Sequence, residues 1–190
     1  MSGAAATRRP AADFTFDPAA ESFTASQQSY LSAHPDTRCS YIATGALVFR
    51  ATDPRAPRRI LLLQRAAGDS MPNRWEVPGG GCDDDDESIL HAVARELWEE
   101  AGLRAARIGA PVGDPHFFTS RSGKKICKFN FVVEAEGRLE ARLDPKEHQR
   151  FVWASEGEVR AGLAEDVDLN FTTNELKQTI LEAFNQFKGK

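Results

Sequence analysis

Cysteine is scarce in this chain. Cys39, Cys82 and Cys127 are its three cysteines, and none of them belongs to a CxxC pair or stands at zinc-ligand spacing from a histidine. An odd, unpaired set excludes a disulfide framework and argues against a structural zinc ion. We therefore expect reduced thiols in a cytoplasmic protein.

Long hydrophobic runs are also missing. No apolar stretch reaches the roughly 20 residues that a membrane-spanning helix needs, and the N-terminus contains no hydrophobic signal region. We therefore expect no membrane association. The opening segment MSGAAATRRPAA lacks acidic residues and contains two arginines, so organelle targeting stays open as an alternative to the cytoplasm.

The chain also lacks an excess of basic residues. The formal net charge is -4, which argues against a protein that binds a nucleic-acid polymer. A small phosphorylated substrate stays compatible with this charge if metal ions supply the positive charge. The hydrophobic fraction of 41% and the charged fraction of 27% are typical of a globular chain with a substantial core.

The N-terminal part differs from the rest in composition. Up to about residue 22 it is rich in alanine, proline and small polar residues without a sustained period, which predicts a flexible arm. A short helix is predicted at 26–31, because the following His34-Pro35 disfavours helical backbone. We assign residues 1–38 to this arm and residues 39–187 to one folded domain.

Strands and helices are predicted to alternate irregularly along that domain. The pattern predicts a mixed sheet in an α/β or α+β sandwich. A last helix is predicted to begin near Thr172, with a buried stripe of Leu176, Ile180, Leu181 and Phe184. Strands are predicted at 41–49, 59–65, 75–77, 114–119, 125–134 and 150–154.

The clearest predicted element is a helix that follows the glycine run 79–81. Ser88 is its predicted N-cap, and Gly102 its predicted left-handed C-terminal stop. One apolar stripe consists of Leu90, Ala94, Leu97 and Ala101.

Three glutamates, Glu96, Glu99 and Glu100, share another face of this helix. Like charges at this spacing repel one another, and a solvated acidic face is the ordinary explanation. The preceding glycine turn, however, can bring a backbone carbonyl close to the same face. Carboxylates together with carbonyls and water are the ligands that Mg²⁺ and Mn²⁺ prefer, so the pattern favours a metal site.

The same residues carry a known signature. Gly81 is followed after five residues by Glu87, and after seven more by RELWEEAGL, which runs from Arg95 to Leu103. This stretch of 81–103 resembles the Nudix box of the MutT-like pyrophosphohydrolases, and every fixed position is filled. LLLQR and WEVPGG upstream are similar to the family's usual approach to the box.

The resemblance implies a Nudix-type α/β/α sandwich and a metal-dependent reaction. Glu96, Glu99 and Glu100 would bind Mg²⁺ or Mn²⁺, and the carbonyl of Gly80 would join them. Glu87 would lie beside Arg95 and orient the cluster, through a metal-bound water. Arg95 would act by positioning carboxylates, although a plain surface ion pair between Arg95 and Glu87 is the alternative.

The general base stays open at this point. Glu96 is one candidate, and Glu147, which precedes a strand, is the other. Glu134 and Glu136 compete with Glu147. Each of these three acids outside the box could instead be a solvent-exposed residue without a catalytic role. For the substrate, Arg65 is placed for a phosphate contact, with a solvent-facing strand end as the alternative. Phe118 could stack on a base, although aromatic residues on strands are more often core. The four aspartates at 83–86 are predicted to be variable loop residues that activity does not require.

Hydrolysis of a diphosphate linkage, in a nucleoside diphosphate joined to another group, is the implied reaction. Markers of the ADP-ribose, diadenosine-polyphosphate, coenzyme A and NADH hydrolases are missing; Thr119 stands where the first group has proline. A nucleoside triphosphate or modified nucleotide is therefore favoured. A catalytically inactive Nudix-fold binding or regulatory module is the alternative. The protein could be a monomer or a homodimer.

Overall fold

The fold is built on a mixed sheet, which the computed structural model describes over residues 13–51, 53 and 56–188. None of the helices in these ranges is both long and apolar enough to cross a membrane. The helices are a 3₁₀ helix (Pro18–Thr24), α1 (Gln27–Ala33), α2 (Ile89–Ala101), α3 (Glu156–Ala161) and α4 (Asn174–Asn185). The strands are β1 (Thr15–Phe16), β2 (Tyr41–Arg50), β3 (Arg59–Arg65), β4 (Trp75–Glu76), β5 (Ala105–Pro111), β6 (His116–Thr119), β7 (Lys125–Ala135), β8 (His148–Ser155), β9 (Leu163–Ala164) and β10 (Val167–Asp168).

The main sheet runs in the order β1-β5-β7-β2-β3-β4, with β6 added beside β7 and β8 beside β3. Strands β2 and β7 pair in parallel over eight residues, from Tyr41 opposite Ile126 to Val48 opposite Val133. By contrast, β2 and β3 pair only at Phe49 with Ile60 and at Arg50 with Arg59. The sheet therefore opens between β2 and β3 toward the start of β2.

The glycine run enters this opening. The amides of Thr44 and Ala46 donate to the carbonyls of Gly80 and Pro78, at 2.8 and 2.7 Å. The approach is so close that a Cβ added at Gly79 would lie 2.2 Å from the carbonyl oxygen of Thr44. A residue without a side chain is needed there, and this fixes the run against β2.

Two hydrophobic cores lie on opposite sides of the sheet. One packs against α2 and includes Ile42, Leu61 and Phe131. The other packs against α3 and α4 and includes Leu47 and Leu62. Alternate residues of one strand serve different cores, as the period of two requires. The fold class predicted from the sequence, an α/β/α sandwich with a mixed sheet, is confirmed.

Helix α2 matches its sequence prediction closely. The Ser88 side chain caps its start by accepting a hydrogen bond from the His91 amide, and Gly102 ends it in the left-handed region with φ of 64°. All four residues of the predicted stripe are buried. Strand β3 also has the predicted bounds. Strand β5 and helix α3 were not predicted, because AARIGAP contains glycine and proline and EGEVRA is too short to show a period.

The structure contradicts a flexible arm over residues 13–38 but confirms the short helix predicted at 26–31, which is α1; residues 1–12 lie outside the described ranges. β1 pairs in parallel with β5, and Gln27 accepts a hydrogen bond from the amide of Ile42 at 2.6 Å. Phe23 is 5% exposed and packs edge-on against Phe129 and Phe131. A few widely spaced aromatic residues thus anchor the segment, and such spacing produces no periodic signal.

Replacing Phe23 by alanine tests whether this segment belongs to the core. Truncation of a buried phenylalanine costs about 3 kcal/mol or more, because lost contacts and a cavity add together. We expect a loss of that size in the free energy of unfolding, measured by urea denaturation. Phe117→Ala is the control, since Phe117 is 58% exposed and should change stability by less than about 0.5 kcal/mol. Equal effects of the two substitutions would contradict the assignment.

Candidate active site

A buried arginine organises the loop before α2. The Nε and Nη2 atoms of Arg95 donate to the two carboxylate oxygens of Asp86 at 2.9 and 2.8 Å. Nη2 also donates to the carbonyl of Gly81 at 2.7 Å, and Nη1 donates to Glu96 and Glu99 at 2.6 and 3.1 Å. Burial alone would lower the pKa of Arg95, but these carboxylates raise it above its ordinary value. The guanidinium is therefore a permanent charge that joins the loop to the helix.

Asp86 occupies the position that the sequence analysis gave to Glu87. The Glu87 side chain is 84% exposed, and its nearest ion-pair partner in the described ranges is the His91 imidazole, at 3.5 Å. Asp86, by contrast, is buried. The expectation that Glu87 lies beside Arg95 is thus corrected, as is the treatment of all four aspartates as loop residues of equal weight. Four identical residues in a row carry no spacing signal that could single out one.

Two glutamates of α2 meet the glycine run. The Gly79 amide donates to Oε2 of Glu100 at 2.6 Å. A Cβ at Gly80 would lie 2.6 Å from Oε1 of Glu96, so the missing side chain leaves room for this carboxylate. The Gly80 carbonyl accepts from Thr44 and has a second lone pair. Glu99 is half-exposed on its side chain and stands at the outer edge of the group.

The electrostatics of these glutamates fit a cation. Burial raises the pKa of Glu100 well above its ordinary value. The hydrogen bond from the Gly79 amide opposes this rise, whereas the charges of Glu76 and Glu96 add to it. Burial also raises the pKa of Glu96; Arg95 opposes this, while Glu99 and Glu147 add to it. A divalent ion would relieve this repulsion, so the carboxylates present fit Mg²⁺ or Mn²⁺.

Glu147 is the acid outside the helix that approaches the group. One ligand atom each of Glu100, Glu147 and His148 lie within 4.8 Å of one another. The competing candidates lie elsewhere: Glu134 pairs with Arg107, and Glu136 with Arg104, both at the β5 end of the sheet. The structure therefore brings Glu147 to the glutamate cluster and leaves the other two apart from it.

A cavity of about 660 Å³ adjoins the glycine run. Arg65 and Phe118, the two predicted substrate contacts, both line it. The guanidinium of Arg65, however, is bound to the carboxylates of Glu76 and Asp69, so its charge is already neutralised. Trp75 and Trp153 are core residues, whereas Phe118 is about half-exposed and available for stacking.

Lys128 is a cavity residue that the sequence analysis missed. It lies on β7 among apolar neighbours and lines the cavity. Within the described ranges no carboxylate lies at ion-pair distance from it. The pKa of His116 is lowered first by burial and then by the charge of Lys128. The usable signal was a lysine on the face opposite Cys127, Phe129 and Phe131 of an otherwise apolar strand.

Comparison with known proteins gives consistent results. The family model of the NUDIX domain matches residues 41–174. The CTP pyrophosphohydrolase of Escherichia coli K12 is 37% identical over 98 residues, which cover 51% of this chain and 67% of that protein. The RNA pyrophosphohydrolase of Bartonella tribocorum is 43% identical over 51 residues, which cover 27% of this chain and 28% of that protein.

A solved structure agrees over a longer span. The E. coli ORF135 protein superposes with a TM-score of 0.54 and 27% identity, covering 78% of this chain and 93% of that one. The matches to the RNA pyrophosphohydrolases, by contrast, span less than half of those proteins' length. Their whole-protein activities therefore do not transfer directly.

Asp86→Asn tests the arginine-centred network. The substitution removes the buried carboxylate charge that Nε and Nη2 of Arg95 bind, and the loss of one partner of a buried ion pair costs about 3 kcal/mol. We expect that loss in urea denaturation. Asp85→Asn is the matched control because Asp85 is exposed in the same loop, and we expect a change below about 0.5 kcal/mol. Indistinguishable variants would show that Asp86 does not hold the loop.

Proposed function

The chain belongs to the Nudix family, and on this basis we propose that it is a metal-dependent pyrophosphohydrolase that acts on a nucleoside triphosphate or modified nucleotide. The observation that carries the proposal is that Glu96 and Glu100 meet the glycine run, with Glu147 close to Glu100, and that the glycine run lines the same cavity as Lys128. Acids for a metal and a cation for phosphate thus lie near the same stretch of backbone.

The nature of the substrate is supported by two observations. The E. coli relative that is 37% identical is a CTP pyrophosphohydrolase. The cavity of about 660 Å³ falls within the range of roughly 300–1,000 Å³ that small-molecule sites occupy. We propose that the half-exposed Phe118 packs against the base and that Lys128 binds phosphate oxygens.

The metal ligands in this proposal are Glu96, Glu99, Glu100 and the Gly80 carbonyl. A bound Mg²⁺ or Mn²⁺ would supply positive charge to the phosphate oxygens during hydrolysis. Arg95 acts as a positioning residue: its bonds to Glu96 and Glu99 fix the carboxylates in relation to the glycine run. Glu87, exposed and paired with His91, has a peripheral role at most.

For the general base we favour Glu147 over Glu96. Oε1 of Glu96 already accepts a hydrogen bond of 2.6 Å from Arg95, and this carboxylate serves as a metal ligand in the proposal. Glu147 is exposed and forms no ion pair within the described ranges. It can therefore take a proton from a water molecule that attacks phosphorus in line with the leaving group.

A nucleotide panel with Mg²⁺ or Mn²⁺ tests the activity. We expect release of phosphate or pyrophosphate from nucleoside triphosphates, with products identified by mass. Glu99→Gln should lower kcat/KM by about 100-fold or more, because a metal ligand contributes several kcal/mol to transition-state stabilisation. Glu140→Gln, an exposed acid outside the cluster, should keep the wild-type rate.

Two results would contradict the proposal. Activity that is insensitive to Glu99→Gln would remove the metal-ligand assignment. Nucleotide binding without any turnover would support the inactive binding module instead.

Metal binding should also stabilise the fold. At a cation concentration 100 times Kd we expect a gain of about 2.7 kcal/mol, or on the order of 5–10 °C in Tm. Glu100→Gln should remove most of this gain, while its amide oxygen can still accept from Gly79.

The same variant has a pH signature without metal. Because the pKa of Glu100 is raised in the folded state, the ionised side chain destabilises the fold as pH rises above the ordinary glutamate value. Glu100→Gln should therefore be more stable than wild type at neutral pH, and the difference should shrink toward pH 4. Thermal unfolding in chelator checks this, and a constant difference across that range would contradict it.

A further inference from the structure

His148, the first residue of β8, is a buried imidazole with one unused nitrogen. It is 2% exposed. Its Nε2 lies 3.2 Å from Oε1 of Glu76, whereas its Nδ1 has no hydrogen-bond partner in the described ranges. Buried polar atoms without a partner are uncommon and call for an explanation.

Glu76 determines which nitrogen holds the proton. Oε1 of Glu76 also accepts a hydrogen bond from Nη1 of Arg65, which pairs this carboxylate with a permanent cation. An ionised carboxylate can only accept, so Nε2 of His148 carries the hydrogen. In a neutral ring this leaves the lone pair on Nδ1.

That lone pair faces carboxylate oxygens. Oε1 of Glu100 lies 4.0 Å from Nδ1, while Oε2 of Glu100 is held by the Gly79 amide. A carboxylate oxygen of Glu147 completes a group whose members lie within 4.8 Å of one another. Three acceptor groups thus lie within 4.8 Å of one another, which is a set that can bind a cation.

We propose that His148 Nδ1 and Glu100 bind a divalent transition-metal ion such as Mn²⁺, beside Glu147, which stays free to act as the proposed base. The proposal rests on the proposed function in one respect, since Glu100 is shared with the all-oxygen group of Glu96, Glu99 and Gly80. An oxygen set suits Mg²⁺, whereas an imidazole ligand shifts preference toward transition metals.

The surroundings of His148 match those of metal-binding histidines. Such a histidine usually donates its second ring nitrogen to a carboxylate, which fixes the ring and increases the basicity of the ligating atom. Here the Nε2 of His148 donates to Glu76, which in turn accepts from Arg65. His148 would therefore give this chain a preference for Mn²⁺ over Mg²⁺.

Pulsed electron paramagnetic resonance of the Mn²⁺-loaded full chain, without nucleotide, tests the site. We expect nitrogen modulation from one coordinated imidazole, which ¹⁵N-histidine labelling should shift. His148→Gln should abolish it, because the glutamine amide can replace the Nε2 donor to Glu76 but not the Nδ1 lone pair. His116→Gln is the matched control: His116 bonds to Thr179 at 2.8 Å, and its loss should leave the modulation intact.

Titration calorimetry with each metal alone gives the second readout. His148→Gln should raise the Mn²⁺ Kd by about 10- to 100-fold and change the Mg²⁺ Kd little. Absence of nitrogen modulation in the wild type, or an unchanged ratio of Mn²⁺ to Mg²⁺ affinity in the variant, would overturn the proposal. If His148→Gln does not fold, the labelled wild type alone decides. Because no nucleotide is present, a failure of hydrolysis leaves this result unaffected, and the converse also holds.

Discussion

The site depends on one buried guanidinium. Arg95 binds Asp86 and the Gly81 carbonyl on the loop and Glu96 and Glu99 on the helix. Without this cation, three acidic side chains would lie close together with little to hold them. Because the guanidinium is planar and donates in fixed directions, it ties Gly81 and Asp86 to the middle of α2. Arg95 thus fixes the carboxylates of Glu96 and Glu99 relative to the glycine run.

The second constraint is steric and comes from the sheet. Strands β2 and β3 separate where residues 78–82 lie against β2, and that approach leaves no room for a side chain at Gly79. The glycine run is therefore hydrogen-bonded to strand β2 and also lines the cavity. Because β2 is paired with β7 over eight residues, the Gly80 carbonyl and the Gly79 amide are held in fixed positions beside it. A site on a freely suspended loop would lack this support.

The sequence predicted those features that depend on hydrophobic periodicity and on helix capping, namely the bounds and the buried face of helix α2. Helix α2 has its Ser88 cap, its Gly102 stop and its buried stripe because these depend on neighbours in the chain. Asp86 could not be separated from its three aspartate neighbours, since burial depends on how the loop folds around Arg95. Lys128 faces the cavity only because β7 lies beside β2, which is a long-range pairing. The segment 13–38 was misjudged for the same reason: Phe23 is stabilised by β7, more than 100 residues away in the chain.

The short strand β1 covers one edge of the main sheet. Strand β5 would otherwise be the outermost strand of the sheet on that side, with unpaired amides and carbonyls open to another chain. Thr15 and Phe16 pair with its centre, and the amide of Asp17 donates to the carbonyl of Ile108. With only two residues, β1 is too short to serve as a template in its turn. Proteolytic removal of residues up to Asp17 would therefore expose the unpaired backbone of strand β5 and promote aggregation, although the residues of the candidate active site would be unchanged.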